Sequence, residues 1–356
     1  AYIVKSTDYS DAYATPVLTA GKSFILGKTN ETDGIFDQLP VIIFDDFTTA
    51  TQFVNFRFKV KSSAMKILQI NTDLVIPKYI FYRLQIIQFD HSTHKRYWIQ
   101  SYSKIKVLIP PLDEQSRIVT RIDELFSELD KAVDTLKTTK EQLEVYRQAV
   151  LVDAFRVATN STHLKIGYVC AKIVDCPHST PKWEKNGKLC LRTTNFKRGY
   201  LDLQSPNYVS EETFNDRNRR IIPQPGDVLY SREGSVLGIA CTIPSNVYPC
   251  LGQRMMLLRS GEKLNNRYLM HYLNSPMVTN HVIATKGGTG SPHINVGDIK
   301  EFQIPIPSLE EQSNIVRQIE EQLSSCDNVE KTVDAILTQA DAMRQSILKQ
   351  AFEGTL

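Results

Sequence analysis

The sequence predicts an α+β protein: two α/β globular domains separated and joined by two long coiled-coil helices, antiparallel if the repeat is pseudo-twofold. Three observations predict it. Residues 109–155 recur at 306–352 after a shift of 197 positions without a gap, with 19 of 47 pairs identical, so the chain is a duplication. Both copies space apolar residues at alternating steps of four and three, the pattern of a coiled-coil seam rather than a broad globular face. The stretch before each copy carries short β-branched or apolar runs punctuated by Gly, Pro and Asp, as strands and turns require. The boundaries that follow are a first domain at 1–108, a helix at 109–158, a second domain at 159–305 and a helix at 306–356.

In chain order, residues 15–19 and 39–44 read as strands bounded by Gly21, Gly27, Gly34 and Asp45-Asp46, and residues 79–88 alternate at helical spacing. Polar loops lie between them at 20–23, 28–30 and 48–52. A basic and aromatic cluster, His94-Lys95-Arg96-Tyr97-Trp98, follows. Pro110 and Pro111 then end an extended segment, and Asp113 and Glu114 stand where a helix N-terminus favours negative charge. The seam reads Ile118, Ile122, Leu125, Leu129, Ala132, Leu136, Leu143, Tyr146 and Val150. In the second copy it reads Ile315, Ile319, Cys326, Val329, Val333, Ile336, Ala340, Met343 and Ile347. Helices of this length reach roughly 60 Å, enough to act as spacers.

Residues 165–305 repeat the plan of the first domain at greater length. Residues 188–195 take the place of 14–22, residues 227–230 that of 41–44, and residues 268–273 that of the helix from Tyr79. If Leu18 pairs with Leu191, Ala1 falls near Val174, so the first domain is expected to lack its first strand. The missing Met suggests that the natural N-terminus lies upstream.

Charge is segregated along the chain. Residues 1–108 carry 13 Lys+Arg against 9 Asp+Glu and residues 166–305 carry 17 against 11, whereas 109–155 hold 6 against 10 and 306–356 hold 4 against 9. Basic globular domains joined by acidic rods imply a polyanion on the domains and a different partner on the rods. The longest apolar runs fall far short of a membrane span, and nothing resembles a signal peptide. The six cysteines lack any CxxC pair and read as reduced thiols of a cytoplasmic protein. Catalytic apparatus is not evident. The glycines after Lys286 lack the GxxxxGK[ST] order, no GxGxxG opens a helix, and His91, His94, His178 and His293 have no partners at metal-ligand spacing. The chain is therefore expected to be non-catalytic, with no cofactor or metal of its own.

Two stretches carry a resemblance: Ile109-Pro110-Pro111-Leu112-Asp113-Glu114-Gln115 and Ile304-Pro305-Ile306-Pro307-Ser308-Leu309-Glu310-Glu311-Gln312, each opening a long helix after a variable domain. With the matched helix ends at 147–155 and 344–352, this tandem order resembles the specificity subunit of Type I restriction-modification systems. The resemblance covers nearly the whole chain and departs from the family in its short first domain. It implies two target recognition domains, each reading one half of an asymmetric split site in double-stranded DNA, held apart by spacer helices. It also implies two modification subunits docked on the helices, through Asp113, Glu114, Gln115, Glu310, Glu311 and Gln312, with two restriction subunits joining them. S-adenosylmethionine and ATP with Mg²⁺ would sit on those partners.

Base edges are read by Arg, Lys, Asn, Gln, Ser and Thr, and phosphates are held by Lys, Arg and hydroxyls. The loops of the second domain offer Lys182, Lys185, Arg192, Thr193, Asn195, Ser231, Arg232, Gln253, Arg254, Lys286, Thr289, Ser291 and His293 for these roles. Those of the first offer Lys22, Ser23, Lys28, Asn30, Thr49, Gln52, Lys95, Arg96 and Tyr97. Helix capping is the alternative role for the four acids. Two other functions remain compatible with the sequence: a coiled-coil scaffold whose basic domains bind another anionic partner, and the recognition part of a fused nuclease-methyltransferase.

Overall fold

The computed structural model describes residues 2–19, 23–87, 96–158, 161–284 and 292–356. Two compact units emerge, one of Ala1–Lys137 with Val333–Leu356 and one of Thr138–Thr332, so each unit takes a part of both long helices.

The first unit runs β1 (Thr15–Leu18), β2 (Ile25–Thr29), β3 (Val41–Asp45), β4 (Thr51–Val54), β5 (Lys59–Val60), β6 (Met65–Leu68) and α1 (Pro77–Gln85) into α2 (Leu112–Val157). Its strands form two three-stranded sheets, ordered β2-β1-β5 and β4-β3-β6. β3 is apolar on both faces because it is covered on both. Ile43 and Val41 pack with Leu18, Phe36 and Phe58, while Ile42 and Phe44 pack with Leu84 and Tyr102.

The second unit holds β7 (His163–Lys165), α3 (Ile166–Val169), β8 (Cys170–Asp175), β9 (Lys188–Leu191), β10 (Phe196–Lys197), β11 (Tyr200–Leu201), β12 (Tyr208–Val209) and α4 (Glu211–Arg217). It continues through β13 (Val228–Ser231), β14 (Ala240–Thr242), β15 (Cys250–Leu251), β16 (Met255–Ser260), α5 (Asn266–Asn274), α6 (Pro276–Ala284), α7 (Val296–Lys300) and β17 (Gln303–Pro305) to α8 (Leu309–Glu353). The duplication is visible in the strand pairing. Leu18 of β1 pairs in parallel with Val60 of β5, and Leu191 of β9 pairs in parallel with Leu251 of β15. The order β4-β3-β6 recurs as β14-β13-β16, with β8 added beyond β16 in the second unit. Leu18 and Leu191 thus take matching places in their sheets, and among the described residues β6 pairs with β3 alone.

Each long helix is seated by the same two side chains. Gln115 accepts from the Ile76 amide at 2.8 Å and donates to the carbonyls of Leu74 and Pro110 at 3.1 and 2.8 Å. Gln312, at the matching position, accepts from the Asn265 amide at 2.8 Å and donates to Lys263 and Pro307 at 2.9 Å each. Both glutamines are 0% exposed. Tyr79 of α1 donates to the Leu108 carbonyl and Tyr268 of α5 to that of Pro305. The expectation that Gln115 and Gln312 face a partner is corrected here: their amides saturate backbone groups of the turns that precede α1 and α5, which a buried side chain must do to offset its own desolvation.

Within each unit the helix segments run antiparallel, low numbers on one meeting high numbers on the other. In the first unit Ile118 and Ile122 join Leu348 and Ala351, and Arg344 pairs with Asp130. In the second, Val150 and Phe155 join Val316 and Ile319, and Arg147 pairs with Asp327 at 2.6 Å and Glu330 at 2.7 Å. Arg147–Asp327 and Arg344–Asp130 are one interaction seen twice, since both partners match at the repeat interval. The seam departs from the sequence reading at Tyr146, Val329, Ile336 and Met343, which are 42–52% exposed. Glu330 and Arg344 take seam-side positions instead, held there by ion pairs with the facing segment.

Candidate nucleic-acid interface

In the second unit four of the residues singled out from sequence converge. Arg192 and Thr193, just past β9, and Gln253 and Arg254, between β15 and β16, line one cleft of about 170 Å³. Thr180, Trp183, Thr194, Glu233, Gly234 and Ser235 complete its walls. The pairing of β9 with β15 brings them together: the strands end side by side at Leu191 and Leu251, and the Gly252 amide donates to the Leu191 carbonyl at 2.9 Å. Gly252 is required there, because a Cβ would stand 2.4 Å from that carbonyl oxygen.

The cleft is built on a layer of buried polar groups. Arg217 is 6% exposed and donates to the carbonyls of Leu251 and Gly252 at 3.0 Å and to that of Ser179, tying the turn before Thr180 to the end of β15. Arg232 grips Asp175 through Nε and Nη2 at 2.8 and 3.1 Å and reaches Glu233 at 2.9 Å. His178 approaches Asp175 at 3.0 Å. Arg232 is therefore a support that neutralises the carboxylates below the cleft, and the expectation that it contacts DNA is corrected. Asn195 is corrected in the same way: it is 6% exposed, its Oδ1 accepts from the Arg192 amide at 2.8 Å and its Nδ2 donates to the Asp202 carbonyl at 3.0 Å. Ser231 is 0% exposed inside β13 and cannot reach a ligand.

What remains at the mouth is cationic. The Arg192 guanidinium lies 5.4 Å above the Trp183 ring. Arg254 is exposed on a left-handed backbone, φ 66°, and makes no ion pair among the described residues. A non-glycine residue held there is strained, and such strain gathers at functional sites. Thr180 donates to Gln253 Oε1 at 3.0 Å. Lys182 and Lys185 are exposed on either side of Trp183. His293, also exposed, is brought against the same turn by the bonds from Gly234 N to Pro292 O at 2.9 Å and from Ile294 N to Arg232 O at 3.0 Å. Lys286, Thr289 and Ser291 lie outside the described residues. Trp183, Thr180, Gly234 and Ser235 were not singled out from sequence; an aromatic between two lysines was the signal available for Trp183.

The first unit distributes its candidates over two segments. Ser23 and Asn30 are exposed at the two ends of β2, and Lys28 is half-buried within it. Asn30 borders a groove in which buried Lys59 pairs with Glu31 at 2.8 Å. That bond holds the Glu31 carboxyl down at about 2. At the β3–β4 turn, Thr49 has φ 57°, and Arg96 lies 5.7 Å over the exposed ring of Phe47. Gln52 is exposed on β4. The turn matches the one beside the second unit's cleft: Tyr97 N donates to Asp46 O just as Ile294 N donates to Arg232 O. Tyr97 itself is 2% exposed, so its expected DNA contact is corrected. Lys22 and Lys95 lie outside the described residues.

On the helices, Asp113 and Glu310 are exposed, Glu114 is paired with Arg117 at 2.7 Å, and Glu311 closes a capping box with Ser308. Matching grooves run along the first turns of the two helices. One, of about 450 Å³, is lined by Ser116, Thr120 and Glu124 among others. The other, of about 690 Å³, is lined by their counterparts Ser313, Arg317 and Glu321.

Residues 171–339 match the family model described as Type I restriction modification DNA specificity domain. The chain is 32% identical over 327 residues to the Type I restriction enzyme EcoR124I/EcoR124II specificity subunit of Escherichia coli, an alignment spanning 88% of this chain and 81% of that one. It is 26% identical over 277 residues to the EcoKI specificity subunit of Escherichia coli (strain K12), covering 72% of this chain and 59% of the other. A chain from a structure on complex assembly and conformational transition of the type I R-M system superposes with TM-score 0.67 at 20% identity, over 89% of this chain and 82% of that one. The HsdS subunit from Thermoanaerobacter tengcongensis superposes with TM-score 0.51 at 20% identity, over 89% and 81%. At such identities these two likenesses speak to the fold.

Proposed function

The chain belongs to the specificity subunits of Type I restriction enzymes, and from that premise we propose how its parts divide the work of DNA sequence recognition. Each unit reads one half of an asymmetric bipartite target in double-stranded DNA, and the two long helices set the length of the unread spacer. The half-sites differ because the loops of the units differ: Arg192, Gln253 and Arg254 around a cleft in one, Thr49 and Arg96 at a turn in the other.

The observation that carries this reading is the cleft of the second unit. Its acids are neutralised from below by Arg232, while Arg192 and Arg254 are left to meet a polyanion. Exposed Lys182 and Lys185 flank it as point charges suited to phosphates, and planar guanidinium forks occupy the recess suited to base edges.

The duplicated grooves at the helix starts support docking of two copies of one partner, the modification subunit, with Asp113 and Glu310 exposed beside them. Restriction subunits would join that assembly. The chain itself is non-catalytic in this reading: S-adenosylmethionine chemistry belongs to the modification subunits, and ATP with Mg²⁺ to the restriction subunits. No helix of the described residues is long and apolar enough to cross a membrane, and a cytoplasmic location fits a partner of genomic DNA.

Domain exchange tests the division of labour. Replacing residues 1–108 by the matching domain of another family member should change one half of the methylated target and leave the other intact. A change in both halves would defeat the modular reading. Inserting whole heptads into both helices should lengthen the spacer alone.

A further inference from the structure

We infer that Arg254 is the guanine-reading residue of the second unit, so that its half-site contains a guanine whose major-groove edge faces the Arg192–Gln253–Arg254 cleft. The inference deepens the proposed function and rests on it.

The chemistry of the mouth selects the base. A guanidinium only donates, and the Oε1 of Gln253 already accepts from Thr180, with its Nε2 able to donate. Glu233, the acid in the wall, is held by Arg232 at 2.9 Å, and Arg232 is in turn clamped on Asp175. The charged groups left for a ligand, Arg192 and Arg254, are therefore donors, beside the hydroxyls of Thr193, Thr194 and Ser235, which donate or accept. Among the four bases, guanine alone presents two acceptors and no donor in the major groove, O6 and N7, spaced for the two parallel N–H bonds of one guanidinium. Adenine and cytosine place a donor amino group there, which would meet Arg254 donor to donor.

Position separates Arg254 from its neighbours. The Arg192 guanidinium carbon lies 5.4 Å from the Trp183 ring centroid, so that aromatic face already attracts its charge. Lys182 and Lys185 stand outside the recess on the segment that carries Trp183. Arg254 lies beside Gly234, where a Cβ would come 3.7 Å from the Arg254 Nη1, and it has a left-handed backbone just ahead of β16, in the wall of the cleft. A residue needed only for charge could sit on ordinary backbone; here a strained conformation places Arg254 in the wall of the cleft that Arg192 also lines.

The test uses the full chain with its modification subunits, in cells for target mapping and purified for binding to duplexes. The wild type should methylate a bipartite target whose second-unit half contains guanine. Replacing that guanine by 7-deazaguanine, which lacks the N7 acceptor, should weaken binding on the order of ten- to a hundredfold. Arg254→Gly removes the side chain at a backbone angle that glycine accepts freely, so the fold is kept. This variant should bind the normal duplex more weakly than the wild type binds the deazaguanine duplex, since it loses the bond to O6 as well, and the deazaguanine replacement should cost it no further affinity. Arg254→Lys should keep the salt dependence but lose the discrimination, since an ammonium lacks the fork.

Arg254→Gly with an unchanged target, or with a uniform loss over all duplexes and a salt slope lower by about one, would overturn the inference and assign Arg254 to phosphate. So would a second half-site without guanine. Those outcomes leave sequence reading by the chain intact; a wild-type chain with no sequence preference would remove both.

Discussion

Replacing Gln312 by Leu fills the same space with an apolar side chain and strips three hydrogen bonds at once. The Asn265 amide and the carbonyls of Lys263 and Pro307 lose their partner. Each unsatisfied buried group costs about 1–3 kcal/mol, and the gain from burying a leucine offsets part of that. These bonds lie only partly out of solvent, so a net loss of about 2–4 kcal/mol is expected. For a unit of this size, about 2–4 °C of melting temperature is lost per kcal/mol, so the second unit should melt several degrees earlier. Asn265 also caps α5, accepting from the amides of Arg267 and Tyr268, so faster amide exchange should begin at that helix. Gln115→Leu should do the same to the first unit and leave the second unchanged. Calorimetry of the full chain with hydrogen exchange resolved by residue measures both. If either substitution leaves its own unit within about 0.5 kcal/mol of wild type yet abolishes association with the modification subunit, the glutamines are partner contacts and the clamp is refuted.

Three further outcomes follow from the same geometry. Lys182→Ala and Lys185→Ala should each weaken binding about equally for every duplex and lower the salt slope by about one, as measured by titration at several salt concentrations; a change of target would contradict a phosphate role. Asn195→Ala should cost about 1–3 kcal/mol of stability in denaturant unfolding, because both its bonds are internal; undiminished stability with lost DNA binding would return Asn195 to the ligand-contacting set. The Glu31 carboxyl, lowered from 4.5 to about 2 chiefly by its bond to Lys59, contributes stability to the first unit that is fully present above pH 4.5 and is lost as pH falls towards 2. Glu31→Gln should flatten that part of an acid unfolding curve, and an unchanged curve would show the pair to be without effect on stability.

The architecture was legible because it is written twice. The gap-free shift of 197 positions fixed the helices, and the match of Leu18 with Leu191 survives as identical parallel pairing with Val60 and Leu251. The seam was less legible. Glu330 and Arg344 face inward because each has a charged partner on the opposing segment, and a count of apolar residues alone gives those places to Val329 and Met343. Among candidate DNA contacts, exposed Arg192 and Arg254 look no different in sequence from buried Arg217 and Arg232. What separates them is whether a carboxylate or an orphan carbonyl lies within reach, and chain segments far apart in sequence decide that: Asp175 for Arg232, Leu251 and Gly252 for Arg217. Gln115 and Gln312 misled for the opposite reason. A glutamine repeated in both copies suggests a shared partner, and the partner it serves is the chain's own turn before α1 or α5.

The central claim, that each unit reads its own half of a DNA target, is tested most directly by mapping methylated adenines across the genome of cells that carry the chain with its modification subunits. The expected result is one asymmetric motif of two defined halves around a spacer of fixed length, with residues 1–108 governing one half only. Methylation without a motif, or a motif whose two halves change together when that domain is exchanged, would contradict it.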